Sequence, residues 1–188
     1  MARIVRVGII GAGNIAASAH VPGYRATPDV ESAAECDVVP GKAAAFAAEH
    51  GIPAAYESHA EMIAKENLDA VSVCTPNVAH KQTTIDALEA GLHVLCEKPI
   101  AMNLAEGEAM VAAARKAGKT LQIGLHWRFT AEAQVLKRFA VSGDLGDIYY
   151  GEATYWRRRG IPGWGVFTQK ALQGGGALID IGVHTLDH

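Results

Sequence analysis

Lys98 stands between Glu97 and Pro99, and Asp180 and His184 lie four residues apart near the end of the 188-residue chain. A lysine can donate a hydrogen bond to an oxygen that gains negative charge during a reaction. A histidine can take or give a proton, and a carboxylate one helical turn away can orient its ring. A helix-capping Asp180 and a packed His184 account for the same spacing equally well. Nearer the N-terminus, Gly11-Ala12-Gly13-Asn14-Ile15-Ala16 matches the pattern G-x-G-x-x-G/A. In that pattern the first glycine makes a tight turn, the second lets a pyrophosphate approach the backbone, and the third small residue lets helix pack on strand. The helix that follows presents unpaired N–H groups to the phosphates. Asp37, 21 residues beyond Ala16, can accept hydrogen bonds from the adenosine ribose. Its charge repels a 2′-phosphate and favours NAD over NADP. Lys42, one helical turn further on, can pair with a 2′-phosphate, so NADP stays open.

These residues need elements to hold them. A short apolar run over 4–10 predicts a strand feeding the glycine loop, and 14–26 predicts a helix closed by Pro28. Residues 30–37 predict a weaker strand, interrupted by Glu31 and Glu35, followed by a helix over 40–50 that stops at Gly51. A short strand over 54–56 precedes a helix capped by Ser58 with Glu61 at the capping-box position. Strands over 68–74, 92–96 and 120–124 alternate with helices over 78–90 and 103–117, the latter capped by Asn103 and ended by Gly118. Short buried strands joined by helices require parallel pairing, so the fold class is α/β, a doubly wound parallel sheet. A flavodoxin-like sheet has the same periodicity; the glycine loop argues for the Rossmann version. Strands of such sheets end beside the ligand crevice. Thr75-Pro76-Asn77 and Glu97-Lys98-Pro99 therefore border the same crevice as the glycine loop.

Beyond residue 125 the texture changes. A helix over 132–141 is followed by an aromatic-rich run over 148–157 that predicts a long strand, then a loop containing Gly174-Gly175-Gly176, then a helical pattern from Leu178. The division is a Rossmann dinucleotide-binding domain over 1–125 and the beginning of an incomplete α/β substrate domain over 126–188. A formal net charge of −3 argues against a nucleic-acid grip, which needs a basic face. No apolar stretch is long enough for a membrane span. Three cysteines without a C-x-x-C predict neither a disulfide framework nor a zinc site, and a reducing, cytoplasmic setting. No metal ligand set is expected.

The glycine loop, Thr75-Pro76-Asn77 with His80, Glu97-Lys98-Pro99, and Asp180 to His184 together resemble the Gfo/Idh/MocA oxidoreductase family, over essentially the whole chain. The resemblance implies a Rossmann domain followed by an open-sheet α/β domain. It also implies an NAD(P)-dependent enzyme acting on a hydroxyl or carbonyl of a sugar, cyclitol or related polyol, with a homo-oligomeric full-length form. It assigns catalysis to Lys98, His184 and the partner carboxylate Asp180. Gly11, Gly13, Asn14, Ile15, Ala16, Asp37, Lys42, Thr75, Pro76, Asn77, His80, Glu97 and Lys98 fall to the cofactor. Lys98, Asp180 and His184, with Arg128, fall to the substrate. Two departures stand out. His126-Trp127-Arg128 replaces the Asn-Arg often found at the entry to the second domain, and the sequence stops four residues after His184, where members continue through the open sheet. Two other functions share these motifs: a glycosidase or lyase that oxidises its substrate transiently, and a non-catalytic dinucleotide-binding protein.

Overall fold

The computed structural model describes residues 3–156, 158–160, 162–163 and 165–187. The first apolar run forms β1 (Val5–Ile10), whose side chains alternate between two helical layers. The segment after the glycine loop winds first as a π-helical turn, Ala16–His20, and then as α1 (Val21–Ala26) with Pro22 in its first turn. β2 (Val30–Cys36) follows; Glu35, which the sequence marks as an interruption, lies wholly inside the strand and is fully buried. α2 (Lys42–His50) starts two residues later than the sequence predicts, because Gly41 takes a left-handed φ of 74° and breaks the helix phase. β3 (Ala54–Tyr56) leads into α3 (His59–Lys65), whose Ser58 cap accepts from the Glu61 N–H at 3.4 Å.

β4 (Ala70–Val73), α4 (Asn77–Glu89), β5 (His93–Cys96), α5 (Leu104–Ala117) and β6 (Leu121–Ile123) complete the sheet. The Asn103 side chain accepts from Glu106 N–H at 3.0 Å, and the Glu106 carboxylate reaches back to Met102 N–H at 3.2 Å. Two backbone N–H groups at the start of α5, those of Met102 and Glu106, are thereby satisfied. All strands pair in parallel in the order β3-β2-β1-β4-β5-β6. The order reverses direction between β1 and β4, which opens a crevice at their carboxyl ends. One face of the sheet packs Met62, Leu88 and Met110 from α3, α4 and α5; the other packs Val21 and Phe46 from α1 and α2 against Ile9.

Past the sheet lie a 3₁₀ turn (His126–Phe129), α6 (Ala131–Ser142), a one-turn α7 (Lys170–Gln173), a second π-helical turn (Leu178–Gly182) and α8 (Val183–Asp187). The strand predicted over 148–157 does not form: residues 148–156 are irregular, and Arg157 lies outside the described residues. Aromatic and β-branched composition favours a strand only when a neighbour supplies a hydrogen-bonded ladder and a surface to pack on. Tyr149 and Trp156 instead remain 97% and 89% exposed. Among the described residues no helix is long and apolar enough to cross a membrane, and no cluster of side chains suits a metal ion.

Candidate active site

The glycine loop is shaped by contact with the neighbouring strand. Gly11 has φ +112°, and a Cβ there would sit 2.6 Å from the Cys74 carbonyl oxygen, so only glycine fits. At Gly13 a Cβ would meet nothing nearer than that same oxygen at 4.0 Å. The loop is therefore closed towards the sheet at Gly11 and open at Gly13. Asn14 and Ile15 lead into the π-helical turn, and Ala16 is completely buried where helix meets sheet.

Asp37 and Lys42 turn out to be partners. Lys42 Nζ lies 2.6 Å from Asp37 Oδ2, which also accepts from Ala12 N–H at 3.0 Å, while Oδ1 accepts from Val39 N–H at 3.0 Å. Burial pushes the Asp37 carboxyl up, but the Lys42 bond and the two backbone N–H groups outweigh it and hold the carboxyl below its ordinary range. The carboxylate thus braces the glycine loop at Ala12, and Lys42 masks part of its charge.

On the other side of the crevice, Lys98 Nζ donates to the Asp180 carboxylate at 2.8 Å and to the Asp180 carbonyl at 2.6 Å. This corrects the expected pairing of Asp180 with His184: an ammonium competes for a carboxylate more strongly than a neutral imidazole does. His184 instead stacks on Trp127 with centroids 4.5 Å apart and meets the His126 ring edge-on at 5.0 Å. It is 3% exposed, and its buried Nδ1 has no hydrogen-bond partner. Burial, then the charge of Lys98, depresses His184 to about 4, so the ring is neutral around pH 7.

Two further expectations are revised. His80 does not face the crevice. It is fully buried between the two strand-end loops, with Nδ1 2.8 Å from the Pro99 carbonyl and Nε2 3.0 Å from the Thr75 carbonyl; burial lowers its proton affinity, and the single N–H of the neutral ring donates to one of the two. Arg128 is engaged by Asp187, with Nε 2.8 Å from Oδ2, rather than free for a substrate. Asn77 Nδ2 donates to the Gln173 carbonyl at 3.0 Å, which links α4 to the wall of a cavity of about 1120 Å³. Asp180, Lys170, Tyr155 and the Gly174–Gly176 run line that cavity; Trp164 lies outside the described residues.

Residues 5–125 match the family model described as "Oxidoreductase family, NAD-binding Rossmann fold", and residues 133–188 match the Gfo/Idh/MocA C-terminal domain. The chain belongs to the Gfo/Idh/MocA oxidoreductase family. It is 46% identical over 183 residues to the D-glucoside 3-dehydrogenase of Escherichia coli K12, a match covering 97% of this chain and 52% of the relative. It is 35% identical to the 1,5-anhydro-D-fructose reductase of Ensifer adhaerens, covering 97% and 54%. Among solved structures it is similar to the aldose-aldose oxidoreductase of Caulobacter crescentus, with TM-score 0.81 and 32% identity over 98% of this chain and 56% of that one. It is also similar to the WlbA dehydrogenase of Bordetella pertussis in complex with NADH and UDP-GlcNAcA, with TM-score 0.74 and 32% identity over 78% and 45%. The chain spans about half the length of the curated relatives it matches.

In this Gfo/Idh/MocA chain the donor set fits a dinucleotide. The open side at Gly13 leaves room for a pyrophosphate at the start of the helical turn, where backbone N–H groups favour an anion, and Asp37 directly follows β2. Sequence reasoning missed three polar residues beneath the site: His20, Ser72 and Tyr24. His20 lies on the buried face with Ala16, four residues apart in a helical pattern, and that spacing of a polar side chain on an apolar stripe was the available signal.

Proposed function

We propose that the protein to which this chain belongs is an NAD-dependent oxidoreductase that interconverts a hydroxyl and a carbonyl on a sugar, cyclitol or related polyol. The observation that carries this reading is the ion pair of Lys98, which follows β5, with Asp180, near the neutral imidazole of His184: a cation, a carboxylate and a ring base contributed by segments about 80 residues apart. The names of the relatives support the substrate class.

Gly11, Gly13, Asn14, Ile15 and Ala16 would hold the pyrophosphate, Asp37 the adenosine ribose, and Thr75, Pro76, Asn77 and Glu97 the nicotinamide end. NAD, when bound, supplies the hydride acceptor and donor. Lys98 donates a hydrogen bond to the reacting oxygen and stabilises its developing negative charge. His184, neutral around pH 7, takes the hydroxyl proton on its ring. Asp180 keeps the Lys98 ammonium aimed into the crevice. The residues from about 126 onwards read as the start of the substrate domain. Exposed apolar side chains such as Leu136, Phe139 and Tyr149 support a full-length form that buries this face, in a homo-oligomer as in the sequence reading. Three buried, unpaired cysteines support a reducing compartment such as the cytoplasm.

Calorimetric titration with NAD and NADP, followed by NADH formation with alkyl glucosides and inositols, tests the proposal. Saturable NAD binding and polyol-dependent NADH are the expected results. Tight NAD without net NADH but with cleavage of a glycoside would replace it with a transient-oxidation mechanism, and absence of dinucleotide binding would overturn it.

A further inference from the structure

Beneath the crevice a chain of buried polar side chains runs from the helical layer to Glu97. His20 Nε2 lies 2.8 Å from Glu97 Oε1, and His20 Nδ1 lies 3.0 Å from Ser72 Oγ, which in turn meets the Tyr24 hydroxyl. His20 and Ser72 are 8% and 0% exposed, so water does not compete for these bonds. His20 closes the π-helical turn that starts just after the glycine loop, and Glu97 precedes Lys98. Turns of that kind are rare and gather at functional sites. Gly124 leaves room for this carboxylate: a Cβ there would lie 3.1 Å from Oε1 and 3.3 Å from Oε2.

We propose that His20 is a positioning residue for the oxidoreductase reaction, donating its Nε2–H to Glu97 and so tying the cofactor-binding turn to the loop that carries Lys98. The inference rests on the oxidoreductase reading above. An ionised carboxylate only accepts, so the ring nitrogen facing it must carry the proton, and Ser72 then fixes the ring through Nδ1. Burial pushes the Glu97 carboxyl up, but the His20 hydrogen bond and the Lys98 backbone N–H hold it below its ordinary range, which keeps the acceptor ionised. With Glu97 turned to His20, the neighbouring Lys98 ammonium is left to Asp180. The buried His80 ring lies against the same loop, with Nδ1 2.8 Å from the Pro99 carbonyl, so the residues on both sides of Lys98 each meet a buried histidine.

The test combines nuclear magnetic resonance of the chain with kinetics of the enzyme that contains it. Nitrogen-15 spectra of the histidines are expected to show a proton on His20 Nε2; a bare Nε2 would overturn the proposal. In His20→Ala the carboxyl midpoint of Glu97, followed by carbon-13, is expected to rise by about one pH unit or more, and His20→Gln, whose amide can still donate, to restore part of the shift. The same variant is expected to lose about tenfold or more in kcat with the NAD dissociation constant changed less than about threefold. If His20→Ala does not fold, the nitrogen-15 spectra of the unmutated chain decide the bond, and a bare Nε2 there overturns the proposal equally. Failure of the unmutated chain to bind NAD would count against the oxidoreductase reading, while the histidine spectra would still decide the His20–Glu97 bond.

Discussion

Replacing Glu35 by glutamine should make the protein more stable, and by an amount that depends on pH. Glu35 is 0% exposed in the middle of β2, and neither carboxylate oxygen has a hydrogen-bond partner. Burial, with the Asp37 charge adding to it, lifts its carboxyl from 4.5 to about 8; the Cys36 N–H and Lys42 favour the ionised form too weakly to reverse this. A carboxyl whose folded value is raised stabilises the fold fully below its unfolded value of 4.5 and loses that contribution as pH climbs to about 8. At about 1.4 kcal/mol per pH unit, the loss is about 3 kcal/mol at pH 7 and about 5 kcal/mol above pH 8. That is a large part of the stability of an ordinary domain. Glutamine nearly matches the volume and polarity of the protonated acid and cannot ionise, so Glu35→Gln removes the pH-dependent part alone. Urea unfolding of both proteins between about pH 5 and pH 8 should show the gap widening by about 1.4 kcal/mol per unit and levelling above pH 8. A gap that stays constant across that range would refute the reasoning.

Other expectations follow from the site. Gly11→Ala forces a Cβ against the Cys74 carbonyl at a left-handed φ, and should cost at least about 2 kcal/mol in urea unfolding and abolish NAD binding by calorimetry. Lys98→Met should lower kcat by about 100-fold or more while NAD affinity changes less than about threefold, and a variant with unchanged turnover would remove Lys98 from the mechanism. Asp37→Ser should shift the ratio of NAD to NADP affinity towards NADP by about tenfold or more, measured by parallel titrations, because the 2′-phosphate then meets Lys42 without the opposing carboxylate. Asn103→Ala removes the α5 cap and should cost about 1 kcal/mol.

The doubly wound sheet was legible because each of its signals is local. Apolar runs of strand length, the glycine loop, the Ser58 and Asn103 caps and the glycines at 51 and 118 each act within a few residues, and each appears where its spacing placed it. The run over 148–156 failed for the opposite reason: a strand is defined by its neighbour, and composition carries no information about whether one is present. The candidate site divides along the same line. That Glu97-Lys98-Pro99 lies at the carboxyl edge of the sheet followed from topology, since the ends of parallel strands share that edge. Which atoms pair did not, because pairing is settled by competition among groups far apart in sequence. The four-residue step from Asp180 to His184 suggested a carboxylate–imidazole pair, yet Lys98, 82 residues away, holds the carboxylate, and Trp127 holds the ring. Asp37 and Lys42, read as rivals over a ribose phosphate, neutralise each other. His80, placed at the cofactor by motif, and His20, unmarked by any motif, do related work: each is a buried ring that meets one end of Glu97-Lys98-Pro99. A motif names the side chains that a reaction needs. The buried groups that aim them leave only a polar residue on an apolar stripe, and that signal gains meaning once the chain has folded around it.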